Sequence, residues 1–158
     1  MQEEQTHYID SPLGTVAISG TKWHITGVNF VEHEPDKKAS PLPLLNTCAT
    51  QLKEYFAGKR KQFSVPLLMD GSEFQVRVWQ ELQKIPFGHL ISYEDLALRI
   101  RNKLITRAVG HANGQNKISI IIPCHRVVGK NGQLTGYAGG LWRKQWLVEH
   151  EQSYTLNF

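Results

Sequence analysis

Pro123-Cys124-His125-Arg126 is where a thiol, an imidazole and a guanidinium stand next to one another in this chain. A free cysteine has a pKa of about 8.5, so only a few per cent is thiolate at neutral pH. Nucleophilic work needs an adjacent base or positive charge, and His125 and Arg126 supply both types. A base in turn needs a third group to orient it, and His150-Glu151 offers a carboxylate further along. The rival reading is structural: Cys124 as a small buried hydrophobe and His125 as a satisfied core histidine.

The reactive run sits at the end of Ser119-Ile120-Ile121-Ile122, which reads as a short buried strand, and a glycine-rich stretch follows it. A strand end opening into a loop is a common place to hold a reactive group. Upstream, Ser72-Glu73-Phe74-Gln75 has the form of a capping box. Behind it Phe74, Val78, Trp79, Leu82 and Ile85 make an apolar helical stripe ending at Pro86-Phe87-Gly88. Ser92 caps a second helix to about Ile100, with Leu96, Ala97 and Ile100 facing inward. After Arg101-Asn102 a third helix is expected over Lys103 to Ala112, closed by Asn113-Gly114. Two short helices joined by a tight turn form a helix-turn-helix candidate. Its second helix carries Lys103 and Arg107 four residues apart on one face.

Residues before Gly71 have a different pattern. Ser11-Pro12-Leu13-Gly14 reads as a turn, Thr15 to Ser19 as a strand, and Trp23 to Val31 as another. Glu32 to Pro43 reads as a loop. Leu44, Leu45, Cys48, Leu52, Tyr55 and Phe56 recur at helical spacing up to Gly58. Lys59-Arg60-Lys61 is a solvated basic run. The break at Pro66 to Gly71 marks a boundary. The expected fold is α+β/α: residues 1–70 a small antiparallel sheet with a helix, residues 71–158 a mainly helical domain with the helix-turn-helix and the Pro-Cys-His-Arg loop.

Composition bounds the function. An apolar fraction of 41% and a charged fraction of 20% exclude disordered and fibrous classes. No apolar run approaches the roughly 20 residues that span a bilayer. The polar start, Met1-Gln2-Glu3-Glu4-Gln5, argues against a secretory signal. Two cysteines are too few for a disulfide framework or a four-cysteine zinc site, which points to a reducing, cytoplasmic compartment. The net charge of +4 is unevenly spread. Leu96 to Val148, 53 residues, holds nine basic residues and no acidic one. Such a stretch attracts polyanions, although composition alone leaves an ordinary solvated surface equally open.

The run Ile122-Pro123-Cys124-His125-Arg126-Val127-Val128-Gly129 resembles the active-site signature of the O6-alkylguanine-DNA alkyltransferases. The resemblance continues through Leu134-Thr135-Gly136-Tyr137-Ala138-Gly139-Gly140-Leu141 to His150-Glu151. Upstream it takes in Phe74-Gln75, Val78-Trp79, Ile85-Pro86-Phe87-Gly88, Ser92-Tyr93 and Arg107-Ala108-Val109-Gly110. It covers nearly all of residues 72–151 at unbroken spacing, and residues 1–71 look like the family's N-terminal domain.

The resemblance implies a repair protein that acts once, on duplex DNA containing O6-alkylguanine, with O4-alkylthymine open as a second substrate. The helix-turn-helix would dock in the minor groove and the alkylated base would leave the stack. Cys124 would take the alkyl group, His125 would accept the thiol proton through a water, and Glu151 would stabilise the imidazolium. Asn116 would brace the turn that presents Cys124. Arg107 would fill the vacated place in the duplex. Tyr93 would drive the nucleotide out and bond guanine N3. Val127 and Ala138 would offer backbone groups to the base, with Tyr137 and Arg126 on the same side. Lys103 would contact phosphate. No cofactor, metal or membrane is implied, and the chain would be a monomer off DNA.

Two departures stand out. Where the family usually has Gly-x-Pro between the helices, this chain has Arg101-Asn102-Lys103, and Lys117 replaces the proline after Asn116. The family's zinc-binding regulatory domain is expected to be absent. Two further readings compete: a lesion-binding module without chemistry, in which another residue replaces the cysteine, and a Cys-His-Glu thiol hydrolase, which gives the basic stretch no role.

Overall fold

The structure is a computed structural model and describes residues 3–32 and 39–155. The chain divides into two compact units, residues 1–69 with 117–121, and residues 70–116 with 122–158. The return of residues 117–121 to the first unit differs from the expected single crossing near residue 70.

The first unit is built on a three-stranded antiparallel sheet in the order β1 (Gln5–Ser11), β2 (Gly14–Gly20), β3 (Ile25–Val31). Ser11 Oγ accepts from Leu13 N and donates to Gly14 O, closing the first turn. The third strand starts at Ile25 rather than Trp23. Thr21 Oγ1 accepts from the N–H groups of Trp23 and His24 and draws them into the turn instead. Helix α1 (Pro43–Phe56) packs on β1 and β2 through Leu45, Cys48, Leu52 and Tyr55, all fully buried. Pro at its first turn removes an N–H that would lack a helical partner. Gly58, at φ 77°, ends it in a conformation a side chain disfavours, and the N–H groups of Gly58 and Lys59 bond Tyr55 O and Glu54 O. Of the loop expected over Glu32 to Pro43, residues 33–38 lie outside the described residues.

The outer edge of β3 is covered rather than open. Ile25 N donates to Pro66 O and Ile25 O accepts from Leu68 N. Val28 does the same with Lys117 O and Ser119 N. These bridges occupy backbone groups that an edge strand would otherwise offer to another chain. The strand expected over Ser119 to Ile122 is corrected here: among the described residues these four form no strand, and the bridge to Val28 lies one residue earlier, at Ile118. Ile121 N then donates to Ser119 O, and Ile120 takes φ 72° in the left-handed region. That conformation is rare for a β-branched residue. Ile118, Ile120 and Ile122 are buried, so the apolar run marks burial without marking a strand.

In the second unit α2 (Glu73–Leu82) opens on the expected capping box, Gln75 N donating to Ser72 Oγ and Ser72 N to Gln75 Oε1. Val78, Trp79 and Leu82 are buried, whereas Phe74 is exposed. Helix α3 (Tyr93–Ile100) is capped by Ser92 with Asp95. The third helix is shorter than expected. Lys103–Ile105 form a 3-10 turn, and α4 runs over Thr106–Gly114. Asn102 Oδ1 accepts from Leu104 N at 2.9 Å, a side-chain cap that starts the 3-10 turn at Lys103 without a proline. Trp79 Nε1 donates to Ala112 O at 2.9 Å and ties α2 to α4. A two-stranded parallel sheet joins β4 (Ile91–Ser92) to β5 (Val127–Val128), and α5 (Leu141–Thr155) closes the unit. Among the described residues no helix is long and apolar enough to cross a membrane.

A Cβ at Gly71 would stand 2.6 Å from the Trp79 ring, which is held by its bond to Ala112 and cannot swing away. Gly71→Ala is therefore expected to cost about 1–3 kcal/mol of stability by overpacking. Denaturant unfolding checks this; an unchanged midpoint would show that the ring yields.

Candidate active site

Cys124–Arg126 form a 3-10 turn between Pro123 and β5, so three consecutive side chains leave the backbone in different directions. Cys124 is 6% exposed. Asn116 reaches it from the residues following α4. Its amide nitrogen donates to Ile122 O at 2.7 Å and to Cys124 Sγ at 3.2 Å, so one side chain fixes both the approach to the turn and the sulfur. Asn113 Nδ2 adds a longer bond to Cys124 O at 3.4 Å. Burial pushes the thiol pKa up, and the Asn116 amide and the Lys144 charge work against that.

His125 is fully buried, and its Nε2 lies 2.7 Å from Glu151 Oε2. Next to an ionised carboxylate Nε2 carries the proton and donates, which leaves Nδ1 with its lone pair. Nδ1 has no hydrogen-bond partner among the described residues. Burial, the largest influence, lowers the imidazole pKa, Glu151 raises it, and the charges of Arg126 and Lys144 lower it again; the balance is downward, so the ring is neutral. A neutral ring with a bare Nδ1 is a base in waiting.

Glu151 receives four donors. Oε1 accepts from Gly88 N at 3.1 Å and Arg126 Nε at 2.8 Å, and Oε2 from His125 Nε2 and from Arg126 Nη2 at 3.0 Å. Burial would raise its pKa, but His125 and the guanidinium outweigh that and hold the carboxyl well below the usual carboxylate range. Arg126 also donates to Ile85 O at 2.6 Å. Arg126, expected on the DNA side, is instead a buried partner of the carboxylate. Its position one residue past the base could not reveal this, because side chains on a tight turn diverge.

A second cluster lies around Tyr93. Its hydroxyl donates to Thr135 O at 3.1 Å and accepts from Lys144 Nζ at 3.4 Å. Lys144 is 0% exposed, donates to Thr135 O at 2.9 Å, and has no carboxylate within ion-pair distance among the described residues. Sequence reasoning missed Lys144 as part of the site, although a signal existed. It precedes Glu151 by seven residues, two helical turns, so both lie on one face of α5. Asn113 and the Gly88 N–H were also missed; a lone amide and a backbone group carry no motif.

The remaining expected residues fall elsewhere. Lys103 and Arg107 are exposed, on the 3-10 turn and α4. Ala138 is exposed and Tyr137 half-buried in the loop before α5, while Val127 is buried in β5. Among the described residues no group of three or more His, Cys, Asp or Glu could hold a metal ion.

Stability should report the buried pair. His125 and Glu151 both bind protons less readily folded than unfolded, where their pKa values are about 6.5 and about 4.3. Their contribution is present above those values and lost as pH falls below them. Urea midpoints are expected to fall steadily from neutral pH downward; a midpoint that climbs on mild acidification would contradict a neutral, buried His125.

Comparison with known proteins places this geometry. Residues 73–153 match the family described as 6-O-methylguanine DNA methyltransferase, DNA binding domain, and residues 6–69 its ribonuclease-like domain. A methylated-DNA–protein-cysteine methyltransferase from Methanosarcina acetivorans is 42% identical over 149 residues, covering 91% of this chain and 96% of its own. One from Mycobacterium tuberculosis is 44% identical over 153 residues, covering 93% of each. The crystal structure of Mycobacterium tuberculosis OGT in complex with DNA superposes with a TM-score of 0.85 at 42% identity, covering 94% of this chain and 93% of that one.

Proposed function

The chain belongs to the 6-O-methylguanine DNA methyltransferase family, DNA-binding proteins of direct-reversal repair, and on that premise we propose that Cys124 is the acceptor of the alkyl group. The observation that carries this is the buried chain of contacts Asn116–Cys124 and His125–Glu151 on one turn. His125 Nδ1 takes the thiol proton through a water. The thiolate then forms an S–C bond as the O–C bond of O6-alkylguanine breaks, and the released electron pair goes to the guanine. One proton returned to the base completes the balance. The product is a thioether, which has no good leaving group, so each chain reacts once.

The base reaches Cys124 only outside the stack. In this reading the domain of residues 71–158 does both jobs. Tyr93 meets the extruded nucleotide, Arg107 fills the gap, Lys103 contacts phosphate, and the backbone of Val127 and Ala138 with Tyr137 surrounds the base. The substrate is duplex DNA with O6-alkylguanine, the chain is a monomer off DNA, and the compartment is cytoplasmic. A Cys-present site argues against a lesion binder without chemistry.

Intact mass after incubation with methylated duplex is expected to rise by one methyl group per chain and no further. Cys124→Ala is expected to abolish the rise while DNA still binds; transfer that survives it would sink the proposal. Arg107→Ala is expected to slow transfer from duplex by about 10- to 100-fold, since extrusion costs a few kcal/mol. The loss on a free alkylguanine base should be smaller, and equal losses would remove Arg107 from extrusion. Lys103→Ala should weaken duplex binding and lower the slope of log affinity against log salt by about 0.9.

A further inference from the structure

Arg126 turns inward from the reactive turn, and its planar fork takes both oxygens of Glu151, at 2.8 Å and 3.0 Å. Its remaining nitrogen is fixed on Ile85 O, and the Phe87 ring lies 5.8 Å from the guanidinium. Glu151 Oε2 is thus shared by the guanidinium and the imidazole of His125. A buried carboxylate that faced the imidazole alone would draw a proton onto the ring. The ring would become an imidazolium, with no lone pair on Nδ1 to accept the thiol proton. A second cation on the same carboxylate removes that pull while leaving the hydrogen bond in place.

We propose that Arg126 is a positioning residue for alkyl transfer: it fixes Glu151 against His125 Nε2 and neutralises enough of its charge to keep His125 an unprotonated base. This rests on the reading of His125 as the base. The ionised groups acting on His125 are Glu151 and Lys144 from α5 and Arg126 from its own turn, and the Cys124 thiol is its sequence neighbour. Helix α2 also packs on the turn, but its Arg77 and Glu81 are joined with Lys84 in an ion-pair cluster of their own. Lys144 bonds Thr135 O and the Tyr93 hydroxyl, whereas the guanidinium of Arg126 bonds the carboxylate itself and so acts on His125 through it.

The test is single-turnover transfer from O6-methylguanine duplex across about pH 5 to about pH 9, for wild type, Arg126→Gln and Arg126→Lys. Without the guanidinium His125 becomes more basic, so the pH at which activity is half lost on the acid side should move up by about one unit. Arg126→Gln should then lose about tenfold at the acid end and less at the alkaline end, and Arg126→Lys should shift less than Arg126→Gln. A uniform loss with an unmoved midpoint would mean a merely structural role and overturns the proposal. Removing the guanidinium can also cost the fold. Nitrogen-15 NMR of wild type, with the His125 signals identified by their loss in His125→Gln, therefore asks the same question without that variant. A neutral ring protonated on Nε2 at pH 7 is expected, and an imidazolium overturns the proposal. Wild-type transfer by His125→Gln would instead show that the base reading had failed.

Discussion

One carboxylate, Glu151, organises the second unit. It is buried on α5, yet it stays charged because a guanidinium, an imidazole and a backbone N–H all point at it. Breaking such a cluster is costly, since a buried charge without partners costs several kcal/mol. The four donors come from well-separated stretches of the chain: residue 88 after α2, and residues 125 and 126 on the reactive turn. Their convergence fixes where α5 lies against that turn. Cys124 is then presented from the other side by Asn116 and Asn113, at the end of α4.

Two further devices refine it. The parallel pairing of Ile91-Ser92 with Val127-Val128 brings the start of α3, and with it Tyr93, beside the strand that leaves the reactive turn. Lys144, two helical turns before Glu151, then clamps Tyr93 and the carbonyl of Thr135. Helix α5 thus serves two clusters from one face: a carboxylate on the proton-accepting side and an ammonium on the side assigned to the nucleotide. A buried ammonium without a carboxylate partner is an expensive arrangement. Its three oxygen contacts and the neighbouring Tyr93 ring partly replace lost water.

Much of this was legible from residue types. The capping boxes at Ser72 and Ser92, the stripe Val78-Trp79-Leu82 and the glycine stop at Gly58 are local signals, and local physics realises them. The Cys124-His125 pair and a distant carboxylate were legible as chemistry. What was not legible depended on long-range contacts. The apolar run Ser119 to Ile122 reads as a strand, but the pairing with Val28 lies at Ile118 and Ile120 turns into the left-handed region. Arg126 belonged to a one-sign stretch that suggested a solvent-facing cation. Its inward turn is decided by Glu151, 25 residues away. The nine basic residues of that stretch therefore overstate the outward charge, since Arg126 and Lys144 are both interior.

The other thiol, Cys48, lies on the sheet-facing side of α1 with no exposure, and burial pushes its pKa up to about 12. It is far from ionised at any physiological pH, so an electrophile that needs a thiolate finds none there. A chain with two cysteines behaves in this respect as if it had one. Burial pushes the Cys124 thiol up as well, but there the Asn116 amide and the Lys144 charge oppose it, and among the described residues nothing opposes it at Cys48.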